Sequence, residues 1–259
     1  MVIPLIDAVG KTTINICTSL GAFVLFLAKT IQTLFTTRLK VAKLFFQMSR
    51  IGVESISIII LTGSFAGMVF ALQSYIGFQR VGGEQFIGAV VALGMIRELG
   101  PVLSALMVTG RAGSAIAAEL GTMSITEQID ALTTLRINPF QYLIVPRILG
   151  GTIIMPFLTI FAMLCGVGGG YVICVYVLEL SPEDYMSSIR SYVELSDIMG
   201  GLKKATVFGL ILSWVGCYKG YNTTGGARGV GISTTQSVVV SSMLILISNY
   251  FLTKLLEHM

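Results

Sequence analysis

The sequence is poor in the groups that carry out covalent chemistry. Its one histidine, His258, stands beside the C-terminus. Its four cysteines, Cys17, Cys165, Cys174 and Cys217, are scattered through apolar segments and form no C-x-x-C pair. No Ser/His/Asp triad and no His/Cys zinc cluster can be assembled, and the cysteines read as small core hydrophobes. These shortages argue against an intramembrane enzyme, so no catalytic residue, metal or cofactor of the chain's own is expected. Met1 to Gly10 carries no positive charge and contains Pro4 and Asp7, so the basic start of a cleaved signal peptide is missing. Gly10-Lys11-Thr12 imitates the end of a phosphate-binding P-loop, but Leu5 replaces the required glycine and no strand precedes it. Any ATP-driven work needs a separate ATPase.

Charge is also scarce. Only 12% of the 259 residues are charged, against roughly 25% in soluble domains. What is abundant is apolar: 54% of the chain is hydrophobic and the mean hydropathy is +0.85. The expected fold is an all-α integral membrane protein. Residues 1–50 are expected to form an N-terminal interfacial or cytoplasmic amphipathic segment and residues 51–259 a transmembrane domain. In the first segment, Leu20, Phe23, Leu27, Ile31 and Leu34 recur at helical spacing while Lys11, Asn15, Ser19, Lys29 and Thr33 fall elsewhere. That pattern suits a helix lying in the membrane interface; the alternative, that Ile14 to Phe35 crosses, would make six spans. The basic run Arg38, Lys40, Lys43 and Arg50 would hold it against an anionic leaflet.

Five crossing helices are expected at about Glu54 to Phe78, Phe86 to Leu120, Ile144 to Leu178, Asp197 to Tyr218 and Ser233 to Leu256. Lysine and arginine then collect on one side, at Lys11, Lys29, Arg38, Lys40, Lys43, Arg50, Arg111, Arg136, Arg147, Lys219 and Arg228. The other side has only Arg80, Arg190 and Lys254. The bias places the N-terminus in the cytoplasm and the C-terminus outside. Small residues at four-residue spacing, Gly63 and Gly67, Gly110, Ser114 and Ala118, and Gly113, Ala117 and Gly121, allow close helix approach in lipid. Five helices make a thin bundle, and a homodimer with a shared cavity is the preferred assembly.

Arg97 and Glu98 stand side by side within the apolar stretch Phe86 to Gly110. Ionised groups at membrane depth are expensive, so the two form either a buried structural pair that locks helices together or a pair that also borders a transport cavity. Neighbours on a helix point about 100° apart, so the two need other partners. Pro101 cannot donate to the Arg97 carbonyl, and Gly100 adds freedom beside it. The helix is expected to be kinked or broken there. Irregular backbone at that depth requires cover by protein or a water-filled cavity.

Lys203 and Lys204 open the fourth span, too few residues before Lys219 to cross on their own, which places them in the outer half of the bilayer. Either both snorkel to the surface, or at least one faces a cavity and pairs with an anionic headgroup. Gln73 and Tyr75, near the outer end of the first span, would line the same space. Between the second and third spans, Ser124 and Glu127 fit a capping box, Ile129, Leu132 and Leu135 form an apolar stripe, and Asn138-Pro139 ends the helix. A helix so short must dock on its own bundle or on a partner. Tyr218 to Gly231 is glycine-rich and is expected to be a flexible cytoplasmic loop.

The run RELGPVLSALMVTGRAGSAIAAELGTMSITEQIDAL, Arg97 to Leu132, resembles the signature region of the MlaE permease family. GGARGVGISTTQSVVVSS, Gly225 to Ser242, resembles that family's segment before its last helix. The resemblance runs from about Arg50 to the C-terminus. It implies a homodimeric permease subunit of an ABC transporter that moves phospholipids between the inner and outer membranes. The expected location is a bacterial inner membrane or a plastid inner envelope. It further implies cytoplasmic ABC ATPase partners that use the ATP, a periplasmic MCE-domain substrate-binding protein, and a lipid cavity at the dimer interface. No nucleic-acid partner is expected. On this chain Arg97 and Glu98 match the family's polar pair and Lys204 a basic residue near the cavity. Thr126 to Leu135, including Gln128 and Asp130, matches the coupling helix. The outer loop Glu179 to Asp197 matches poorly. Two rival readings remain. An ion-coupled secondary transporter using Arg97 and Glu98 would show inverted repeats, and none is evident. A membrane scaffold without transport gives no reason for charges at depth.

Overall fold

The computed structural model describes residues 2–36, 40–80 and 82–257, apart from the side chains of residues 2–13, 15, 16 and 257. Arg38 and His258 lie outside the described residues, as do the side chains of Asp7 and Lys11. All regular structure among the described residues is helical. In chain order the helices are α1 (Val2–Thr36), α2 (Val41–Gly52), α3 (Ile56–Phe78), α4 (Glu84–Ile125), α5 (Gln128–Thr134), α6 (Phe140–Val177), α7 (Pro182–Tyr192), α8 (Leu195–Tyr221) and α9 (Gly226–Glu257).

Six stretches are long and apolar enough to cross a membrane: Cys17–Thr36, Val41–Phe78, Glu84–Ile125, Phe140–Val177, Leu195–Tyr221 and Gly226–Leu256. Five contain the expected spans, and this is a multi-pass membrane protein. The first span extends backwards through a 3₁₀ turn, Val53–Ser55, into α2. The segment boundary expected at residue 50 therefore falls inside α2, whose Ile51 and Gly52 are buried. Gly10-Lys11-Thr12 belongs to the backbone of α1, not to a loop.

Helices α6 and α8 form the centre. The two pack on each other, with α2 and α3 flanking α6 and α4 and α9 flanking α8. Their core holds Met155, Leu158, Phe208 and Leu212, all at most 2% exposed. Small residues set the closest crossing. A Cβ on Gly67 would overlap the Gly166 carbonyl, so α3 and α6 touch backbone to backbone. Gly113 and Ala117 likewise receive Gly216 and Gly220 of α8. Two of the three expected stripes are thus used within one chain, whereas a Cβ on Gly110, in the third, would meet nothing within 4 Å.

The bundle has two ends, called here the α5 end and the α7 end. At the α5 end a charged lattice joins three helices. Arg50 of α2 binds Glu119 of α4 at 2.7 Å, and Arg147 of α6 binds the other oxygen of Glu119 at 3.2 Å. Arg111 pairs with Glu54 and donates to Ser55 Oγ at 2.8 Å, tying α4 to the 3₁₀ turn between α2 and α3. Among the described side chains of α1, those of its second half meet the bundle. Phe23 stacks on Trp214 with ring centroids 3.9 Å apart, and Phe26 packs on Phe140, Tyr218 and Tyr221. The buried face of α1 holds Phe26, Thr30 and Thr33. Of the stripe Leu20, Phe23, Leu27, Ile31 and Leu34, the first and fourth are exposed and the other three half-buried beside the bundle.

Two further expectations need correction. Ser124 and Glu127 do not form a capping box. Ser124 donates to the carbonyls of Tyr221 and Thr223, and Glu127 adopts a left-handed conformation, φ 58°, with no side-chain capping bond. The serine is drawn into tertiary bonding because α8 ends beside it. Tyr218 to Gly231 is mostly helix, since α8 runs to Tyr221 and α9 starts at Gly226. The glycines serve the turn: Gly225 and Gly226 have φ 87° and 65°, a region open to glycine at little cost.

Candidate functional site

The site begins with a proline. Pro101 has no N–H, so the Arg97 carbonyl lacks the donor that an α-helix would supply four residues on. The chain answers by widening. Met95–Leu99 is wound as a π turn, with Gly100 N–H reaching back to the Met95 carbonyl. Such one-residue widenings are frequent at functional sites. The same solution recurs at Phe140–Ile144, just before Pro146. The second span is therefore expanded where a kink or break was expected, and it continues without interruption. The Arg97 carbonyl accepts from Lys204 Nζ at 3.0 Å.

Lys204 is the centre of the arrangement. Its side chain is 4% exposed. An ammonium has three protons to donate, and three acceptors surround this one: the Arg97 carbonyl, Glu98 Oε1 at 2.6 Å and Thr253 Oγ1 at 2.8 Å. Glu98 is held in turn from α9, by Asn249 Nδ2 on Oε2 at 2.9 Å and by the Thr253 hydroxyl 3.0 Å from Oε1. A buried charge is tolerated when it is paired and its hydrogen-bonding capacity is filled. Here helices α4, α8 and α9 are joined through one ammonium and one carboxylate.

Arg97 points elsewhere, as its position beside Glu98 on a helix requires. Its Nε and Nη2 both contact Asp197 Oδ1, at 2.7 and 2.6 Å. Asp197 is fixed at the start of α8 by a reciprocal capping box with Glu194. Its Oδ2 accepts the Glu194 N–H at 3.0 Å while the Glu194 side chain caps the Asp197 N–H. Gly201 lets α8 come this close to the widened turn, since a Cβ there would strike the Ile96 carbonyl. Asp197 is 7% exposed, but Arg97 is 56% exposed.

The exposed side of Arg97 borders a cavity of about 530 Å³. Arg97, Glu98, Asp197, Lys203, Lys204 and Thr253 line it together with Ser196, Met199, Gly200, Gly201 and Leu256. Of the expected residues the fold brings together Arg97, Glu98, Lys203 and Lys204. Lys204 is the buried partner of Glu98; Lys203 is exposed at the rim and forms no ion pair among the described residues. Gln73 and Tyr75 are not brought to this cavity. Gln73 is exposed on α3 and Tyr75 packs beside Ala71, Val91 and Cys174. Asp197, Asn249 and Thr253 were missed as site residues. The last two stand four residues apart, a spacing that puts them on one helix face.

At the α5 end, α5 buries Ile129 and half-buries Leu132 against the core. Thr126, Glu127, Gln128, Asp130 and Leu135 are exposed, Leu135 at 69%. The apolar stripe is therefore split: two members anchor the helix and the third is presented outward. Thr134 ends α5 before Asn138-Pro139 is reached, and Asn138 Oδ1 instead accepts the Phe140 N–H at 2.9 Å to start α6.

Residues 44–255 match the family described as Permease MlaE. A probable ABC transporter permease protein from Rickettsia typhi is 46% identical over 256 residues, covering 99% of both chains. The intermembrane phospholipid transport system permease protein MlaE of Haemophilus influenzae is 35% identical over 99% of this chain and 98% of its own. The chloroplastic protein TRIGALACTOSYLDIACYLGLYCEROL 1 of Arabidopsis thaliana is 41% identical over 80% of this chain and 59% of its own length. With the match spanning nearly every described helix, the chain belongs to the MlaE permease family.

Proposed function

We propose that the chain is the permease subunit of an ABC transporter that moves phospholipids between the inner and outer membranes. It would sit in a bacterial inner membrane with its N-terminus in the cytoplasm and its C-terminus outside. The observation that carries this reading is the half-exposed Arg97 over the cavity. A guanidinium turned toward hydrocarbon would be heavily penalised. The space it borders must therefore hold water or a polar headgroup. Glu98 and Asp197 are already engaged by Lys204 and Arg97, so the uncommitted charge at the rim is positive, from Lys203 and the outer face of Arg97. A phosphate is the natural complement. Met199, 48% exposed, and Leu256 supply apolar wall for acyl chains.

The remaining parts follow from the same picture. A second copy of the chain would close the cavity, giving a homodimer with lipid at its interface. Cytoplasmic ATPase subunits would bind the exposed side of α5, with Leu135 entering a groove on the partner. A periplasmic MCE-domain protein would sit over α7. Helix α1 would lie in the cytoplasmic interface, since its described aromatic contacts, to Trp214, Tyr218, Tyr221 and Phe140, gather toward the α5 end of the bundle. ATP binding would move α5 and alter the cavity through α4, which runs from Arg97 and Glu98 to the start of α5. The test is Glu98→Ala in a reconstituted complex. Lipid transfer is expected to fail while the ATPase still co-purifies; normal transfer would remove the pair from the mechanism.

A further inference from the structure

At the α5 end three lysines stand over aromatic rings. Lys29 Nζ lies 4.4 Å from the Phe140 centroid, Lys40 Nζ lies 5.0 Å from the Tyr142 centroid, and Lys43 covers the same Tyr142 ring. None of the three joins an ion pair among the described residues, while Arg50, Arg147 and Arg111 are compensated by Glu119 and Glu54. Ring faces hold an ammonium in place without neutralising it. The neighbouring surface has inverted polarity. On α2, Phe45 and Phe46 are exposed at 63% and 62% while Gln47 is buried. A helix that turns phenylalanine outward and glutamine inward suits contact with acyl chains, and flanking lysines then reach headgroup level.

We propose that Lys29, Lys40 and Lys43 form a docking surface for anionic phospholipid headgroups of the leaflet that meets the α5 end. This surface is separate from the Arg97, Glu98 and Lys204 cavity. Along α8, Trp214 follows Lys204 by roughly 15 Å of helix, and the lysines lie around the aromatic cluster at Trp214's end. Lys29 belongs to α1, Lys40 leads into α2, and both rings belong to α6. Anionic headgroups bound there pin α1 and α2 against the bundle. The inference rests on the membrane placement proposed above, not on what is transported.

The only tryptophan, Trp214, is stacked on Phe23 of α1 and serves as the reporter. The full chain in mixed micelles is titrated with brominated-chain phosphatidylglycerol or phosphatidylcholine, and quenching of Trp214 is followed. Phosphatidylglycerol is expected to quench at lower mole fraction, by about fivefold per lysine engaged. The preference should shrink in about 0.5 M salt, which screens exposed charges. It should vanish when all three lysines become glutamine and persist when they become arginine. Equal quenching by the two lipids in the unmodified protein overturns the proposal, as does a preference that survives the glutamine substitutions. Loss of the preference in Lys204→Gln alone would assign the signal to the transport cavity and also overturn it. Should the glutamine variant not fold, the salt titration of the unmodified protein decides. Transport is not read in this assay, so its failure is distinct from failure of the transport reading.

Discussion

At the scale of single residues, the structure separates two charges that the sequence sets side by side. Arg97 goes to Asp197 and the cavity; Glu98 goes to Lys204 and the interior. Removing Glu98 strips a nearly enclosed ammonium of its counter-charge and one of its three acceptors. Breaking such a pair from one side is more damaging than removing both partners. Glu98→Ala should therefore lower stability, by roughly 2 kcal/mol. The double variant Glu98→Ala with Lys204→Met should recover most of that loss without recovering lipid transfer. Thermal denaturation of Glu98→Ala, Lys204→Met and the double variant, read beside transfer rates, checks the cycle; additive losses would mean that the two side chains do not act as a pair. Much of this site is legible in the sequence, because charge is rare in an apolar stretch and therefore conspicuous. Asp197 was less so, since it stands at a helix start where aspartate is ordinary. Which of Lys203 and Lys204 is buried depends on the rotation of α8 against α4, and that is set by Gly201, whose neighbour Ile96 is distant in sequence.

At the scale of elements, the widened turn Met95–Leu99 is the part that adapts a helix to a task. Its cause, Pro101, is visible in the sequence, but a missing donor can yield a kink, a break or a π turn. Packing against α8 and Lys204 selects the last. Pro101→Ala restores an N–H within reach of the Arg97 carbonyl, which then competes with Lys204. Helix propensity favours the alanine by up to about 3 kcal/mol, so the variant should be at least as heat-stable as the parent yet transfer lipid more slowly. Unchanged transfer would show that the expanded turn is not needed. The short helix α5 gives a second test. Glu127 holds a left-handed conformation that costs a non-glycine residue roughly 1 kcal/mol. Glu127→Gly should hold or slightly raise the melting temperature, whereas Glu127→Val should lower it. The expected capping box failed here because the motif names local partners only, while Ser124 finds better ones at the end of α8, almost a hundred positions along the chain.

At the scale of the whole molecule, the two ends carry different chemistry. The α7 end opens a mixed-charge cavity beside α8 and α9. The α5 end is locked by Arg50, Glu119, Arg147, Arg111 and Glu54 and presents Leu135 to the outside. The helical class, the spans and the isolated short helix could all be read from hydropathy and turn residues. The packing order could not, because all spans are apolar and lipid offers no hydrophobic gradient to rank their faces. The division of labour predicts that Leu135→Asp will release the ATPase subunits in a pull-down while leaving the melting temperature of the permease nearly unchanged, since the side chain is exposed. Retained ATPase would place the docking surface elsewhere.

The central claim is that a phospholipid headgroup occupies the space beside Arg97 during the transport cycle. The most direct measurement is photo-crosslinking from position 199, at the cavity wall, compared with position 161 on the outward face of α6, in the assembled complex with and without ATP. The account predicts phospholipid crosslinks at position 199 that change with nucleotide, while those at 161 stay constant. Crosslinking at both positions that is equal and indifferent to ATP would contradict it.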